Sequence, residues 1–163
     1  MPRTRRRTDF LLLDTHVWLW WLLGHERLAN AACRPAIERA EAAGHAAISA
    51  ISLWETLLLH DVGRLDLGQD PRAWLLEARR SLAITVLPVG EWEAVESRLL
   101  PGELHRDPAD RFIVATARLR RCVLLTADVR LLAYAAAGHL RAMNLDGTRL
   151  GEDAYANPEH AAT

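Results

Sequence analysis

Four acidic residues carry the pattern in this chain that suits chemistry. Asp14 closes a short apolar run, Leu11 to Leu13, and Asp128 follows a second one, Cys122 to Thr126. Such runs read as buried strands of a parallel sheet, and the carboxyl ends of those strands border the crevice where α/β sheets bind ligands. Glu55 and Asp110 fall in the first turns of helices that begin on the same side. Four carboxylates gathered at one crevice repel one another. They stay ionised at neutral pH only if hydrogen bonds, helix N-termini or bound cations compensate. Oxygen ligands suit a hard cation, Mg²⁺ with Mn²⁺ as its substitute, and such ions complete their shells with substrate phosphate. The reaction this arrangement fits is phosphodiester hydrolysis: a water of lowered pKa attacks phosphorus in line while the ion's charge stabilises the departing oxygen.

Each acid also has a purely structural explanation. Asp14 and Asp128 are good N-caps, Ser52-Leu53-Trp54-Glu55 fits a capping box, and Asp110 complements a helix dipole. None of these explains why all four fall on the same edge of the sheet. Asp107, followed by Pro108 at the first helical position, is assigned to capping first and to the metal only second. Arginines crowd the Asp110 helix, and of these Arg106 and Arg111 are the candidates for gripping RNA phosphates. His16, His60 and His105 stand alone, with neither a His-x-x-x-His pair nor a cysteine partner, which argues against zinc. Trp18, Trp20, Trp21 and Trp54 read as core or subunit contacts rather than base-stacking platforms.

The elements that must position these residues alternate along the chain. Strands are expected at Leu11 to Leu13, His45 to Ser49, Ile84 to Val89, Cys122 to Thr126 and Arg141 to Leu145. Between them lie a helix after Asp14, one over Leu28 to Ala43 stopped by Gly44, one over Ile51 to Val62 and one opened by Pro71 that runs to Leu82. Further helices cover Glu91 to Leu100, Pro108 to about Arg120, and the stretch from Val129 to Gly138. Alternation of this kind predicts a parallel sheet covered on both faces by helices. Residues 1–8 form a basic extension, 9–145 a single domain, and 146–163 a polar tail expected to be poorly ordered.

A chain of 163 residues, half of them hydrophobic, buries a sizeable core unaided. Its formal net charge of −1 offers no global attraction to nucleic acid, so any RNA binding rests on a local basic patch. All 20 basic residues are arginine, which excludes Schiff-base chemistry and any lysine on a phosphoryl group. Cys33 and Cys122 lack CxxC spacing, and Cys122 reads as a reduced core thiol. The start of the chain imitates a secretory signal. However, Asp14 and His16 interrupt its apolar part, and no stretch reaches the about 20 apolar residues of a membrane span, so a cytoplasmic protein is expected.

The segments LLLDTHVWLWW, AISAISLWE, HRDPADRFIVATA and LLTAD, in this order, closely resemble the PIN-domain ribonucleases, specifically toxins of the VapC type from bacterial toxin–antitoxin pairs. The resemblance covers residues 9 to 145. It implies a three-layer α/β/α fold with a sheet of about five strands ordered 3-2-1-4-5, and an Mg²⁺-dependent endoribonuclease activity. The family's acidic quartet falls on Asp14, Glu55, Asp110 and Asp128, as both catalytic residues and metal ligands, with Asp107 as an accessory acid. Thr15, Ser52, Arg111 and Thr126 fall on supporting positions. A homodimer and a VapB-type antitoxin whose C-terminal segment blocks the cleft are further implications.

Rival readings fare less well. Phosphoaspartate proteins also place acids at strand ends, but they use a lysine that this chain lacks, and no glycine-rich loop follows the first strand to hold a nucleotide. A PIN domain serving in RNA processing outside a toxin pair stays open. So does an inactive RNA- or protein-binding module, although the presence of all four acids argues against the latter.

Overall fold

The computed structural model describes residues 9–81 and 83–156. Its centre is β1 (Leu11–Leu13), all three residues of which are buried. A strand alternates its side chains between faces, so Leu11 and Leu13 join one apolar layer with Trp18, Leu28, Ile37 and Trp74, while Leu12 joins the other with Ile113, Val114, Leu124 and Leu131. Burial of each such side chain is worth roughly 1.5–3 kcal/mol, and two-sided burial is why β1 reads as an unbroken apolar run rather than an alternating one.

Asp14 caps α1 (Thr15–Leu22), which a short α2 (Glu26–Ala29) and then α3 (Arg34–Ala42) follow. The single helix expected over Leu28 to Ala43 is therefore two. Pro35 sits in the first turn of α3, where a missing N–H costs nothing, and it forces a restart at Cys33, whose own N–H donates to Leu145 O at 3.0 Å. β2 (Ala46–Ser49) leads straight into α4 (Ala50–Asp61). Ser49, not Ser52, caps α4, accepting from Ile51 N, so the capping box suggested for Ser52 and Glu55 is not formed.

Then come α5 (Pro71–Ser81), β3 (Thr85–Leu87), α6 (Glu91–Leu99), α7 (Pro108–Arg120), β4 (Val123–Leu125), α8 (Val129–Ala136), β5 (Ala142–Met143) and β6 (Arg149–Leu150). The sheet order is β3-β2-β1-β4-β5-β6, parallel except for the last pair, so the expected 3-2-1-4-5 arrangement carries one added antiparallel edge strand.

That strand corrects the reading of the tail. From Asp146 the chain turns back on itself, Met143 pairing with Arg149 and Ala142 with Leu150. Gly151 holds a left-handed φ of +65° against Leu140 O, where a Cβ would lie 1.9 Å from that oxygen. Tyr155 is buried, its hydroxyl donating to Cys122 O (3.2 Å) and accepting from Arg141 N (3.3 Å). Local polarity hid this because the packing partners lie in β4 and β5, remote in sequence. Residues 1–8 and 157–163, including the basic extension, lie outside the described residues. Cys33 and Cys122 are buried free thiols, and no helix among the described residues is long and apolar enough to cross a membrane.

Candidate active site

The sheet order reverses between β1 and β4. From β1 the chain winds outward to β2 and β3, then returns by α6 and α7 to the other side. The crevice beyond the carboxyl ends of two such strands is where open α/β sheets bind ligands. Asp14 follows β1 there, and its N–H donates to Leu125 O (3.0 Å), the last residue of β4. Asp128 stands three residues further along, capping α8. Asp14, Glu55, Asp107, Asp110 and Asp128 together line one cleft of about 370 Å³.

Thr126 ties the two strand ends together. Its hydroxyl donates to Asp14 Oδ2 (2.6 Å) and accepts from Asp128 N (3.0 Å), while Asp14 Oδ1 accepts from Thr15 N (2.8 Å). Beneath them the Thr15 hydroxyl donates to Ser52 Oγ (2.9 Å), and Thr56 back-bonds to Ser52 O (2.7 Å). These small buried residues lock α1 to α4 and fix the angle at which α4 delivers Glu55. Asp107 caps α7, accepting from Ala109 N (3.0 Å) and Asp110 N (3.4 Å).

The electrostatics show what the cleft lacks. Burial raises the pKa of Asp14 above the ordinary carboxylate range, with Asp128 adding to the effect and the Thr126 hydrogen bond opposing it. Burial likewise raises Glu55, reinforced by Asp14, and Glu55 Oε2 is buried without a hydrogen-bond partner. Asp110 is pushed up to about 8, by burial first and then by Asp14, Asp107, Glu55 and Asp128. Asp128 alone is lowered, because Arg130 grips it at 2.8 and 3.2 Å. Buried carboxyls that crowd one another for want of positive charge form a donor set that a divalent cation fits.

Two residues here were not anticipated from sequence. His105 Nε2 lies 3.2 Å from Asp110 Oδ2, and ligand atoms of His105, Asp110 and Asp128 fall within 4.8 Å of one another. Burial and Arg130 hold the imidazole below its usual pKa. Its Nδ1 accepts from Asp107 N (3.4 Å), so the neutral ring carries its proton on Nε2, facing Asp110. Arg130 is the other; besides Asp128 it approaches Asp110 at 3.8 Å. Nothing local in the sequence separates either from an ordinary surface residue.

The expected phosphate contacts are placed differently. Arg111 spends its guanidinium on backbone carbonyls, Ser97 O at 2.7 Å, Leu104 O at 3.1 Å and His105 O at 3.4 Å, which fastens α7 to the end of α6 and the loop after it. Arg106 is exposed and borders the adjoining cavity beside Tyr134 and His139, not the acid-lined cleft.

A family model for the PIN domain matches residues 11–137. The chain belongs to the PIN-domain family. Among curated proteins it is 37% identical over 126 residues to Ribonuclease VapC22 of Mycobacterium tuberculosis, a match covering 76% of this chain and 91% of that one. Two solved structures share the fold at a TM-score of 0.60 and 17% identity: VapBC2 from Rickettsia felis bound to a DNA fragment from their promoter, and DNA-bound VapBC from Salmonella typhimurium. Each match covers 84% of this chain, with 99% of the Rickettsia chain and 98% of the Salmonella chain. The acid-lined cleft of this PIN domain lies within the matched span, and so do Thr15, Ser52, Thr126, His105 and Arg130.

Proposed function

We propose that this PIN-domain protein is a divalent-metal-dependent endoribonuclease and the toxin of a toxin–antitoxin pair, acting in the cytoplasm. The observation that carries the reading is the gathering of Asp14, Glu55, Asp110 and Asp128 at the switch point of the sheet, with three of the four held above the ordinary carboxylate range. Identity of 37% to a named ribonuclease supports the reaction class.

Those four carboxylates are the proposed ligands, with Asp107 accessory, and Mg²⁺, for which Mn²⁺ would substitute, is the proposed ion. When bound, the cation supplies the charge that activates water and offsets the negative charge of the attacked phosphate. The chain's own residues supply the geometry. Thr126 and the Thr15 amide fix both oxygens of Asp14, and the Thr15–Ser52 hydroxyl pair holds α4 so that Glu55 reaches the cleft. Glu55 Oε2, buried without a hydrogen-bond partner, is the oxygen that Glu55 would offer to the cation. The proposed partners are the RNA substrate, a VapB-type antitoxin and a second copy of this chain.

The test compares wild type with Asp14→Asn on RNA, with and without EDTA. Cleavage is expected to need Mg²⁺ or Mn²⁺ and to fall at least about 100-fold in the variant. Cleavage indifferent to chelator and to the substitution would remove the metal-nuclease reading.

A further inference from the structure

The cleft that gathers the acids also carries positive charge that no side chain neutralises. Arg27, on α2, and Arg64, just after α4, line the same cleft as the acids, and both are exposed. Among the described residues neither side chain makes an ion pair or hydrogen bond, although five carboxylates lie in the same cleft. Arg27 is nonetheless held. Its guanidinium carbon sits 4.7 Å from the centroid of the Trp20 ring, which is half-buried, lines the cleft itself and is flanked by His16 at 6.2 Å and His25 at 5.9 Å. A guanidinium stacked on an indole loses little freedom and keeps its N–H fork available for phosphate.

The other arginines near the cleft are held by other groups or face elsewhere. Asp128 grips Arg130, carbonyl oxygens occupy Arg111, and Arg106 borders the neighbouring cavity. A polyanion entering a cleft with five carboxylates brings several phosphates. A cation among the acids serves the one under attack, so the flanking phosphates need positive charge from elsewhere.

Resting on the nuclease reading above, we infer that Trp20, Arg27 and Arg64, which line the same cleft as the acids, form a substrate subsite there. Arg27 and Arg64 each bind a backbone phosphate of single-stranded RNA flanking the scissile bond, and Trp20 is the positioning residue that aims Arg27. The sequence reading assigned Trp20 to core or subunit contact and singled out neither arginine.

The test separates binding from cleavage. In the Asp14→Asn background with EDTA present, the affinity of a fluorescent single-stranded oligoribonucleotide is measured against salt concentration. Arg27→Ala and Arg64→Ala are each expected to weaken binding about tenfold and to flatten the log–log salt slope by about 0.7, the value for one lost phosphate contact on a single strand. Trp20→Leu should lose affinity as Arg27→Ala does, while Trp20→Phe, which keeps a ring under the guanidinium, should retain most of it. Arg39→Ala removes an equal charge at the opposite end of the sheet, beside Asp9 and His45, and should bind within about twofold of the parent. Both arginine variants are exposed, so misfolding does not confound them.

Parental binding by Arg27→Ala and Arg64→Ala would overturn the subsite, as would an equal loss in Arg39→Ala or a parent that binds no RNA. If the parent binds and the arginine variants do not, yet the chain with intact acids cleaves nothing in Mg²⁺, the subsite stands and the nuclease reading fails.

Discussion

At the scale of single residues, the acids do two jobs at once. Asp14 and Asp128 are N-caps, as the bland reading held, and both also line the cleft. An N-cap carboxylate uses part of its lone-pair capacity on backbone N–H groups and keeps the remainder for a ligand. Asp110 gives this a thermodynamic consequence. Its folded pKa of about 8 stands far above the about 3.9 of an unfolded chain, so the folded state holds the proton more tightly. That contribution is complete below about pH 4 and is lost as pH rises through about 8, with a slope of at most about 1.4 kcal/mol per pH unit for one proton. Asp14 and Glu55, also raised, act in the same direction, and the lowered Asp128 acts only at lower pH. In EDTA, the melting temperature of wild type is therefore expected to fall from pH 5 to pH 8 relative to Asp110→Asn. Added Mn²⁺ should cancel the difference by favouring the ionised carboxylates. Parallel profiles for the two proteins in thermal melts would contradict this.

At the scale of elements, the helix starts were legible and the closing segment was not. Asp107-Pro108 and Asp14 marked their helices correctly, because a cap is written in adjacent residues. The Ser52 capping box was misread although the strand ending at Ser49 was expected: α4 starts at Ala50 with no connecting residues, so Ser49 takes the cap and Ser52 falls inside the helix. The clasp formed by β6 and Tyr155 depends on Gly151, where a Cβ would press on the backbone oxygens of Leu140 and Ala135. Gly151→Ala is expected to destabilise the fold by at least about 2 kcal/mol, combining a left-handed φ with a backbone clash. The same substitution at Gly138, also of positive φ but open to solvent, should cost less. Denaturant titration of the two variants checks the order, and equal losses would mean that the clasp does not bear on global stability.

At the scale of the whole molecule, charge is distributed rather than absent. A net charge of −1 conceals a cleft that gathers five carboxylates and faces them with Arg27, Arg64 and Arg130. A cation among the acids and arginines at the rim would each make such a cleft more receptive to an anionic polymer, which links the proposed metal to the proposed substrate. The toxin role predicts that induced expression of the chain alone arrests growth of a bacterial host, while Asp110→Asn, expressed to the same level, does not. Equal growth curves would count against the toxin role and leave the nuclease role to the chelator assay.

By itself the sequence determined the alternation of strands and helices, the parallel sheet, and the acids that meet at its edge. Each of these is encoded within a few neighbouring residues: an apolar run, a cap, a carboxylate at a strand's end. Only the tertiary structure decided which arginines face those acids, that Arg111 is spent on carbonyls, that His105 and Arg130 join Asp110, and that the tail closes the sheet. Where a long side chain finds its partner depends on segments tens of residues away, and an arginine reads the same in sequence whether a carboxylate, a carbonyl or an indole ring holds it.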